Sequence, residues 1–344
     1  MSDETALASR QQLGRIGLET LPSIVAQAGE RAGRRFIEFF TANIRNRNTR
    51  LAYARAVAQF FDWCDAQGLR LETIEPVVVA AYIEELQKSL AAPSVKQNLA
   101  AIRVLFDWLV VGQVVPFNPA ASVRGPKHVV KRGKTPVLTA DQARKLLDSI
   151  DTTTVVGLRD RALIGVMVYS FARVGAVVAM RVEDYFQSGK RWQVRLHEKG
   201  GKRHEVPAHH NAEAYIDAYI DASKIGSDKK GPLFRSADRY RMLAARDNKT
   251  PLVHGENRGR RLTERPMHRL DVLRMIKRRA RAAGLPQTTC CHTFRATGIT
   301  AYLENGGTIE NAQAIAAHES PRTTKLYDRT SDEIKVDEVE RIAI

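Results

Sequence analysis

The sequence has few cysteines and no long apolar segment. Its three cysteines, Cys64, Cys290 and Cys291, form no disulfide framework and indicate a reducing compartment. It contains no run of about 18 apolar residues, the length that a membrane span needs. The first residues, MSDETALASRQQLGRIG, lack the apolar centre of a signal peptide. The sequence therefore predicts a cytoplasmic or nucleoid-associated protein without a membrane partner.

The residue spacings that bind metal ions are also missing. Cys290, Cys291 and His292 are consecutive, and no second cluster of such ligands follows them. Adjacent ligands of this kind match no common zinc spacing. We therefore expect no metal site, and we interpret the two cysteines as bystanders.

Acidic residues are scarce relative to basic ones. The 344 residues include 38 Asp and Glu against 54 Lys and Arg, which gives a net charge of +16. This surplus predicts a polyanionic partner, of which nucleic acid is the commonest, but a basic surface without a partner has the same composition. With 44% hydrophobic residues and no low-complexity tract, the chain is long enough for two globular domains.

Residues 31–122 have the periodicity of a small all-α domain with about four helices, and residues 1–30 precede it as an arm. We predict that Asn48 or Thr49 caps the second helix and that Ser94 caps the fourth. Basic residues gather at the start of the second helix and on the fourth. They favour phosphate contacts, and a merely solvated helix face explains any single one equally well. They are Arg45, Arg47, Arg50, Arg55, Lys96 and Arg103.

A basic segment rich in proline follows this domain. We interpret residues 123–137 as an interdomain linker that runs along a polyanion, because its prolines oppose regular structure and it has no acidic residue. A flexible linker that is basic by chance is the alternative. The basic residues of the segment are Arg124, Lys127, Lys131, Arg132 and Lys134.

The second domain, residues 138–328, is predicted to be mainly helical with a small β-hairpin, so that the fold class is α+β. A mostly apolar helix in RDRALIGVMVYSF is suited to the domain centre. The later segment RRLTERPMHRLDVLRMIKRRARAAGLP predicts a basic helix. Its apolar side, formed by Leu270, Leu273 and Ile276, is expected to face the core.

The hairpin is predicted from the segment RWQVRLHEKGGKRHEVPA, in which apolar and polar residues alternate. Gly200-Gly201 is a turn signal between the two strands. Lys199 and Lys202 flank this turn. A lysine at a hairpin tip is usually only solvated charge, so the pattern alone assigns these two no function.

Arg173 directly follows the apolar helix of the second domain. A buried charge needs a partner, and no acidic residue lies within the next nine positions. This arrangement favours a role for Arg173 in binding an anion.

The segment from Cys290 to Arg329 holds the residues best suited to phosphate chemistry. His292 and Arg295 are three residues apart, so in a helix they meet the same anion. His318 follows, and Tyr327 lies nine residues beyond it, with a proline between them that opposes a continuous helix. These four side chains could hold a phosphodiester and attack it.

Residues 31 to about 335 resemble the tyrosine recombinase (phage integrase) family. The family signature has an arginine after a buried helix, a lysine on a hairpin, H-x-x-R, a second histidine 23 residues on, and a tyrosine nine further. Here these are Arg173, Lys199 in KGGK, His292 and Arg295 in HTFR, His318 and Tyr327. Many members have other residues at the positions of Ala176, Ala296 and Ala317.

The resemblance implies a role for each residue of this set. Tyr327 would attack a backbone phosphate and hold the 3′ end as a phosphotyrosine ester, while Lys199 would protonate the leaving 5′ oxygen. The two arginines would bind the nonbridging oxygens, and the two histidines would donate hydrogen bonds to the phosphate. His292 is also a candidate base for the tyrosine proton. No metal or other cofactor is required.

The resemblance also implies the partners. The helical domain would be the core-binding domain, which with the catalytic domain forms a clamp around duplex DNA that carries an inverted-repeat core site. A free monomer or dimer would become a homotetramer in the synaptic complex, assisted by accessory DNA-bending proteins. The acidic tail, residues 329–344, has an apolar stripe typical of a subunit-docking helix.

Three functions are consistent with the sequence. The first is site-specific recombination, as in integration, excision or resolution, by an enzyme of a mobile genetic element. A catalytically silent, sequence-specific DNA-binding protein and a nicking-closing enzyme like a type IB topoisomerase are the alternatives.

Overall fold

The computed structural model describes residues 13–14, 18–130, 133–198, 201, 203–238 and 261–328. Its chain forms two compact units, Met1–Val129 and Val130–Ile344. Residues 1–12 and 15–17 of the predicted arm and the tail at residues 329–344 lie outside the described residues. Helices and small antiparallel sheets make up the fold, which confirms the predicted α+β class.

The first unit is helical throughout its described part. It contains α1 (Ser23–Gln27), α2 (Glu30–Glu38), α3 (Arg47–Ala66), α4 (Pro76–Ser89) and α5 (Ala92–Val111), with a π-helical turn at Phe39–Asn43 after α2. Its core is rich in aromatic rings, and Phe36 meets Phe40 edge-on at 5.1 Å between ring centroids.

Two predicted helix starts in this unit are wrong by a few residues. Helix α3 is capped by Asn46, whose side chain accepts hydrogen bonds from the backbone N–H groups of Asn48 and Thr49. Those two residues are therefore recipients of the cap rather than caps themselves. Helix α5 begins at Ala92, before the predicted cap Ser94, because Pro93 is favourable in a first helical turn.

The second unit surrounds a buried helix. Its helices are α6 (Ala140–Asp148), α7 (Val155–Tyr169), α8 (Val174–Val178), α9 (His210–Ser223), α10 (Arg269–Ala282), α11 (Cys291–Glu304), α12 (Ile309–Ile315) and α13 (Pro321–Lys325). Helix α7 packs against α9 and α11, and most of its residues are buried. The charged residues Arg159 and Asp160 near its start are buried as well. Their burial is possible because Arg159 and Arg279 both donate hydrogen bonds to the carboxylate of Asp160.

Two antiparallel sheets accompany these helices. One has the order β1 (Tyr185–Ser188), β2 (Arg191–His197), β3 (Arg203–Pro207), and the other pairs β4 (Arg235–Ala237) with β5 (Leu262–Pro266). The predicted hairpin is β2–β3, in which Val194 lies opposite Val206. The strands β1, β4 and β5 were not predicted, because each is short and depends on a partner strand for its hydrogen bonds.

The predicted basic helix also needs correction. The first part of its segment forms β5, and α10 starts only at Arg269. Leu270 is 49% exposed instead of facing the core. Val272, Met275 and Ile276 lie on the buried side, so the prediction is right for Ile276. Within the described ranges, the chain has no helix that is both long and apolar enough to cross a membrane.

Candidate active site

Four of the predicted site residues converge in the second unit. The hydroxyl of Tyr327 lies 2.9 Å from Nε2 of His292. The ring of His318 stacks on that of Tyr327, with 5.8 Å between centroids and 8° between planes. Tyr327 and Arg295 are 8% and 1% exposed. The structure thus brings together groups from α11, from the loop after α12 and from the turn after α13.

Arg295 is held by two backbone carbonyl groups. Its Nη2 donates to the carbonyl oxygen of Ala316 at 2.6 Å, and its Nη1 donates to that of Phe171. Its buried Nε has no hydrogen-bond partner within the described chain. Burial, and secondly the charge of Arg173, lower the pKa of Arg295 to about 10, while Tyr327 and Glu198 act in the opposite direction. Arg295 is therefore a fixed cation that keeps a donor unused.

The residues around those two carbonyl groups have unusual backbone conformations. Phe171 has a φ of 51° and Ala317 has a φ of 47°, in the left-handed region that favours glycine. Ala317 follows the end of α12, where a left-handed residue commonly ends a helix. This turn lets the chain reverse directly between Ala316, which contacts Arg295, and His318.

Replacing Ala317 by glycine is expected to stabilise the protein. The left-handed conformation costs a residue with a Cβ about 1–2 kcal/mol, and the extra freedom of glycine in the unfolded chain offsets part of this gain. We expect the free energy of unfolding in urea to rise by about 1 kcal/mol. The control Ala314→Gly, within helix α12, should lower it by a similar amount. A lower stability of Ala317→Gly than of wild type would contradict this assignment.

Both histidines of the site are held in the neutral form. Burial lowers the pKa of His318 to about 3, and the charges of Arg295, Arg173 and His292 contribute further. Burial and the same two arginines also lower the pKa of His292. The Nδ1 atom of His318 lies 2.9 Å from Oγ1 of Thr324. In the tautomer that carries its proton on Nδ1, His292 accepts a hydrogen bond from Tyr327 at Nε2.

These lowered values predict how stability depends on pH. Between pH 6.5, the ordinary value, and about 3, the unfolded chain binds a proton at residue 318 that the folded chain does not. The free energy of unfolding should therefore decrease as the pH is lowered through this window, by about 1.4 kcal/mol per pH unit for a single group. Urea unfolding between pH 6.8 and about 5.2 measures the slope.

The variant His318→Gln should have a smaller slope than wild type, because its unfolded chain has lost that proton site. The control His210→Gln removes an exposed histidine of α9 instead. Equal slopes for wild type and His318→Gln would show that His318 is not held neutral.

Arg173 is paired with an acidic residue, contrary to the sequence prediction. Its Nη1 donates to Oε2 of Glu198 at 2.6 Å. The partner was missed because it follows β2, 25 residues along the chain, and only the folded sheet brings it close. Arg173 still belongs to the site, since its charge lowers the pKa values of His292, Arg295 and His318.

Two of the residues predicted to contact DNA form hydrogen bonds within the first unit. Arg50 donates from Nε and Nη2 to the carbonyl oxygen of Ile44, at 3.0 and 2.8 Å. Arg103 donates to the carbonyl oxygens of Ala120 and Val123. Both arginines therefore bind nearby backbone, a use that the charge pattern does not reveal.

The remaining predicted DNA contacts are exposed or lie outside the described residues. The exposed ones are Arg45, Arg47, Arg55, Lys96, Arg124, Lys127 and Lys134. Outside the described residues lie Lys131, Arg132, Lys202 and the predicted general acid Lys199.

Threonine residues that the sequence did not single out position the tyrosine. Thr300, on α11, donates from its hydroxyl to the carbonyl oxygen of Tyr327 at 2.8 Å. Thr324 contacts His318 and also accepts the backbone N–H of Tyr327 at its carbonyl oxygen. The threonines at 297, 300 and 324 are buried, which sets them apart from ordinary helix or loop residues. The sequence does not show this burial, so it could not identify them.

The arrangement is suited to nucleophilic attack on an anion. A phenol contacts a neutral imidazole that can take its proton, and a buried guanidinium with an unused donor lies beside them. No group of three His, Cys, Asp or Glu side chains in the described part of the chain is placed to hold a metal ion.

Comparisons with known proteins agree with this geometry. Residues 136–333 match the phage integrase family, and residues 35–112 match the N-terminal SAM-like domain of phage integrases. Tyrosine recombinase XerD of Chlorobaculum tepidum is 26% identical over 285 residues, covering 81% of this chain and 85% of the relative. Tyrosine recombinase XerC of Chlamydia muridarum is 29% identical over 254 residues, covering 74% and 72%.

Solved structures share the fold. The XerH site-specific recombinase bound to its difH substrate, in a pre-cleavage complex, has a TM-score of 0.62 at 16% identity, covering 99% of this chain and 88% of that one. A lambda integrase dimer bound to a COC′ core site, residues 75–356, has a TM-score of 0.61 at 18% identity, covering 88% and 97%.

Proposed function

Because the chain belongs to the phage integrase family, we propose that its active site cleaves and rejoins duplex DNA with Tyr327 as the nucleophile. The enzyme is a tyrosine recombinase, and its reaction is site-specific recombination through a phosphotyrosine intermediate. The observation that carries the residue assignment is the contact of 2.9 Å between Tyr327 and a neutral His292. A catalytically silent DNA-binding protein would have no use for this pair.

The proposed cleavage step transfers one phosphoryl group. The hydroxyl of Tyr327 loses its proton to Nε2 of His292, and its oxygen forms a bond to the scissile phosphorus. The bond between phosphorus and the 5′ oxygen breaks, and Lys199 supplies the proton that this oxygen needs. The product is a 3′-phosphotyrosine ester with a free 5′ hydroxyl. Attack by a 5′ hydroxyl reverses the step and reseals a strand without an outside source of energy.

The arginines would stabilise the charge that builds on the nonbridging oxygens. Arg295 is already fixed by two carbonyl groups and has a free Nε, so it needs little rearrangement when the phosphate arrives. Arg173 adds a second guanidinium, and His318 can donate from Nε2 because Thr324 contacts its Nδ1.

We further propose that both units bind the DNA. The SAM-like match at residues 35–112 and the exposed basic residues of the first unit support residues 31–122 as a core-binding domain. Residues 123–137 would follow the duplex as a linker, and residues 138–328 would carry the catalysis. An inverted-repeat core site, a homotetramer in the synaptic complex and accessory DNA-bending proteins complete the proposal. The lambda integrase dimer on its core site is consistent with it.

Covalent capture tests the proposed function. Purified protein is incubated with a library of nicked duplexes whose sequences are randomised around the nick, so that cleavage releases a short fragment and traps the ester. A protein–DNA adduct should survive a denaturing gel, and mass spectrometry of its peptides should place the DNA on Tyr327. An adduct on another residue, or none after repeated selection, would overturn the proposal. Relaxation of supercoiled plasmids of unrelated sequence would instead favour a nicking-closing enzyme.

A further inference from the structure

A buried carboxylate contacts the active site from the hairpin. Glu198 follows β2, and its side chain is only 5% exposed, whereas the side chain of Arg173 is 39% exposed. Their contact of 2.6 Å has the short length of a charge-assisted hydrogen bond. A carboxylate this buried is costly unless it is paired, and Arg173 supplies the partner.

Glu198 offsets part of the positive charge of the site. Burial, and secondly the charge of Arg173, lower the pKa of Arg295, and the charge of Glu198 acts against this lowering. The carboxylate therefore offsets part of the repulsion between the two guanidinium groups.

The pair also leaves Arg173 able to bind a second anion. In the described part of the chain, only its Nη1 has a protein partner, while the other donors of the guanidinium remain available. Because a guanidinium is planar, one short hydrogen bond at Nη1 restricts where the remaining donors point.

The short helix that Arg173 caps, α8, supplies no acidic side chain to pair with Arg173. Three residues after Arg173 the chain has Ala176, which is buried in the apolar core of the second unit. A carboxylate at that position would have to be placed among apolar side chains. The acid that fixes Arg173 comes from the sheet instead.

We propose that Glu198 is a positioning residue for DNA cleavage. It holds the guanidinium of Arg173 in one orientation, so that the unused donors face the scissile phosphate. This inference rests on the proposed function, because it assigns Glu198 an effect on the cleavage step.

The test is single-turnover cleavage of the nicked duplex that covalent capture selects. Glu198→Gln keeps the size of the side chain and removes its charge, and the partly exposed Arg173 is not left as a buried cation. At saturating DNA the cleavage rate should fall roughly 10- to 100-fold, because misplaced groups cost this much in catalysis. The Kd for the same DNA should stay within about twofold of wild type, and the melting temperature within about 4 °C.

Glu205→Gln is the matched control. Glu205 lies on the neighbouring strand β3 and pairs with Arg195 at 2.8 Å, outside the site residues. It should leave both the cleavage rate and the Kd unchanged. Glu198→Ala should be at least as slow as Glu198→Gln, and it provides a second measurement.

Three results would overturn the inference. These are a cleavage rate of Glu198→Gln equal to that of Glu205→Gln, a faster rate than wild type, and a loss of rate that merely parallels a loss of folded protein. Failure of the proposed function is distinguishable, because wild type itself would then form no adduct at Tyr327.

Discussion

The variant Tyr327→Phe should bind duplex DNA as wild type does but form no covalent adduct. The phenylalanine ring keeps the stacking on His318 and the buried position of the side chain. It lacks the oxygen that must bond to phosphorus, so no other group of the site can replace it. The lost hydrogen bond to His292 should lower the free energy of unfolding by only about 1 kcal/mol. Gel shift and denaturing gel measure binding and attachment separately.

Tyr302→Phe is the matched control for this experiment. Tyr302 lies on α11 and packs against Phe171, with 6.0 Å between ring centroids, in the same apolar cluster as Tyr327. The hydrogen bond to His292 belongs to Tyr327. It should form the adduct at the wild-type rate. Persistence of the adduct in Tyr327→Phe would remove the central assignment of this enzyme.

The variant Arg295→Lys should lose roughly 10²- to 10³-fold in single-turnover cleavage, the usual cost of a lost donor to transition-state charge. A lysine keeps the charge, but its single ammonium group cannot reproduce the planar set of donors. In wild type, Nη1 and Nη2 of Arg295 donate hydrogen bonds to two carbonyl oxygens, while Nε has no partner in the described chain. The substitution should also destabilise the protein, by about 1–3 kcal/mol for each carbonyl left unpaired. The rate is therefore measured per folded molecule.

Arg279→Lys controls for this loss of stability. Arg279 donates from Nε and Nη2 to Asp160, at 3.3 and 2.9 Å, so it is also a partly buried arginine with two hydrogen bonds. Its substitution should lower the free energy of unfolding without slowing cleavage. If both lysine variants cleaved at the wild-type rate, Arg295 would be a structural residue only.

The class of enzyme could be predicted from the sequence because the relevant signal lies in short spacings. His292 and Arg295 share one helical turn, and the interval from His318 to Tyr327 spans only nine residues. Local periodicity also identified the helical domain, the buried helix α7 and the hairpin β2–β3, which the structure contains. Membership in the phage integrase family confirms the predicted enzyme class.

The features that the sequence did not predict share a cause. Each depends on a bonding partner that comes into contact only when the chain folds. The short strands β1 and β5 are stable only through pairing with another strand. The hydrogen bonds of Arg50 and Arg103 to backbone carbonyl oxygens were not foreseen for the same reason, and the DNA contacts predicted for these arginines stay predictions. The roles of Lys199 and the linker lysines remain predictions.

The types of residue that carry the chemistry, and their order along the chain, follow from the sequence alone. A phenol, two imidazoles and two guanidinium groups could hold a phosphodiester and attack it, and their order resembles the signature of the phage integrase family. Their protonation states depend on folding, because burial and nearby charges lower the pKa values of His292, His318 and Arg295. The pairing of Arg173 with Glu198 depends on folding too, since a sheet must form before a residue 25 positions away can reach it.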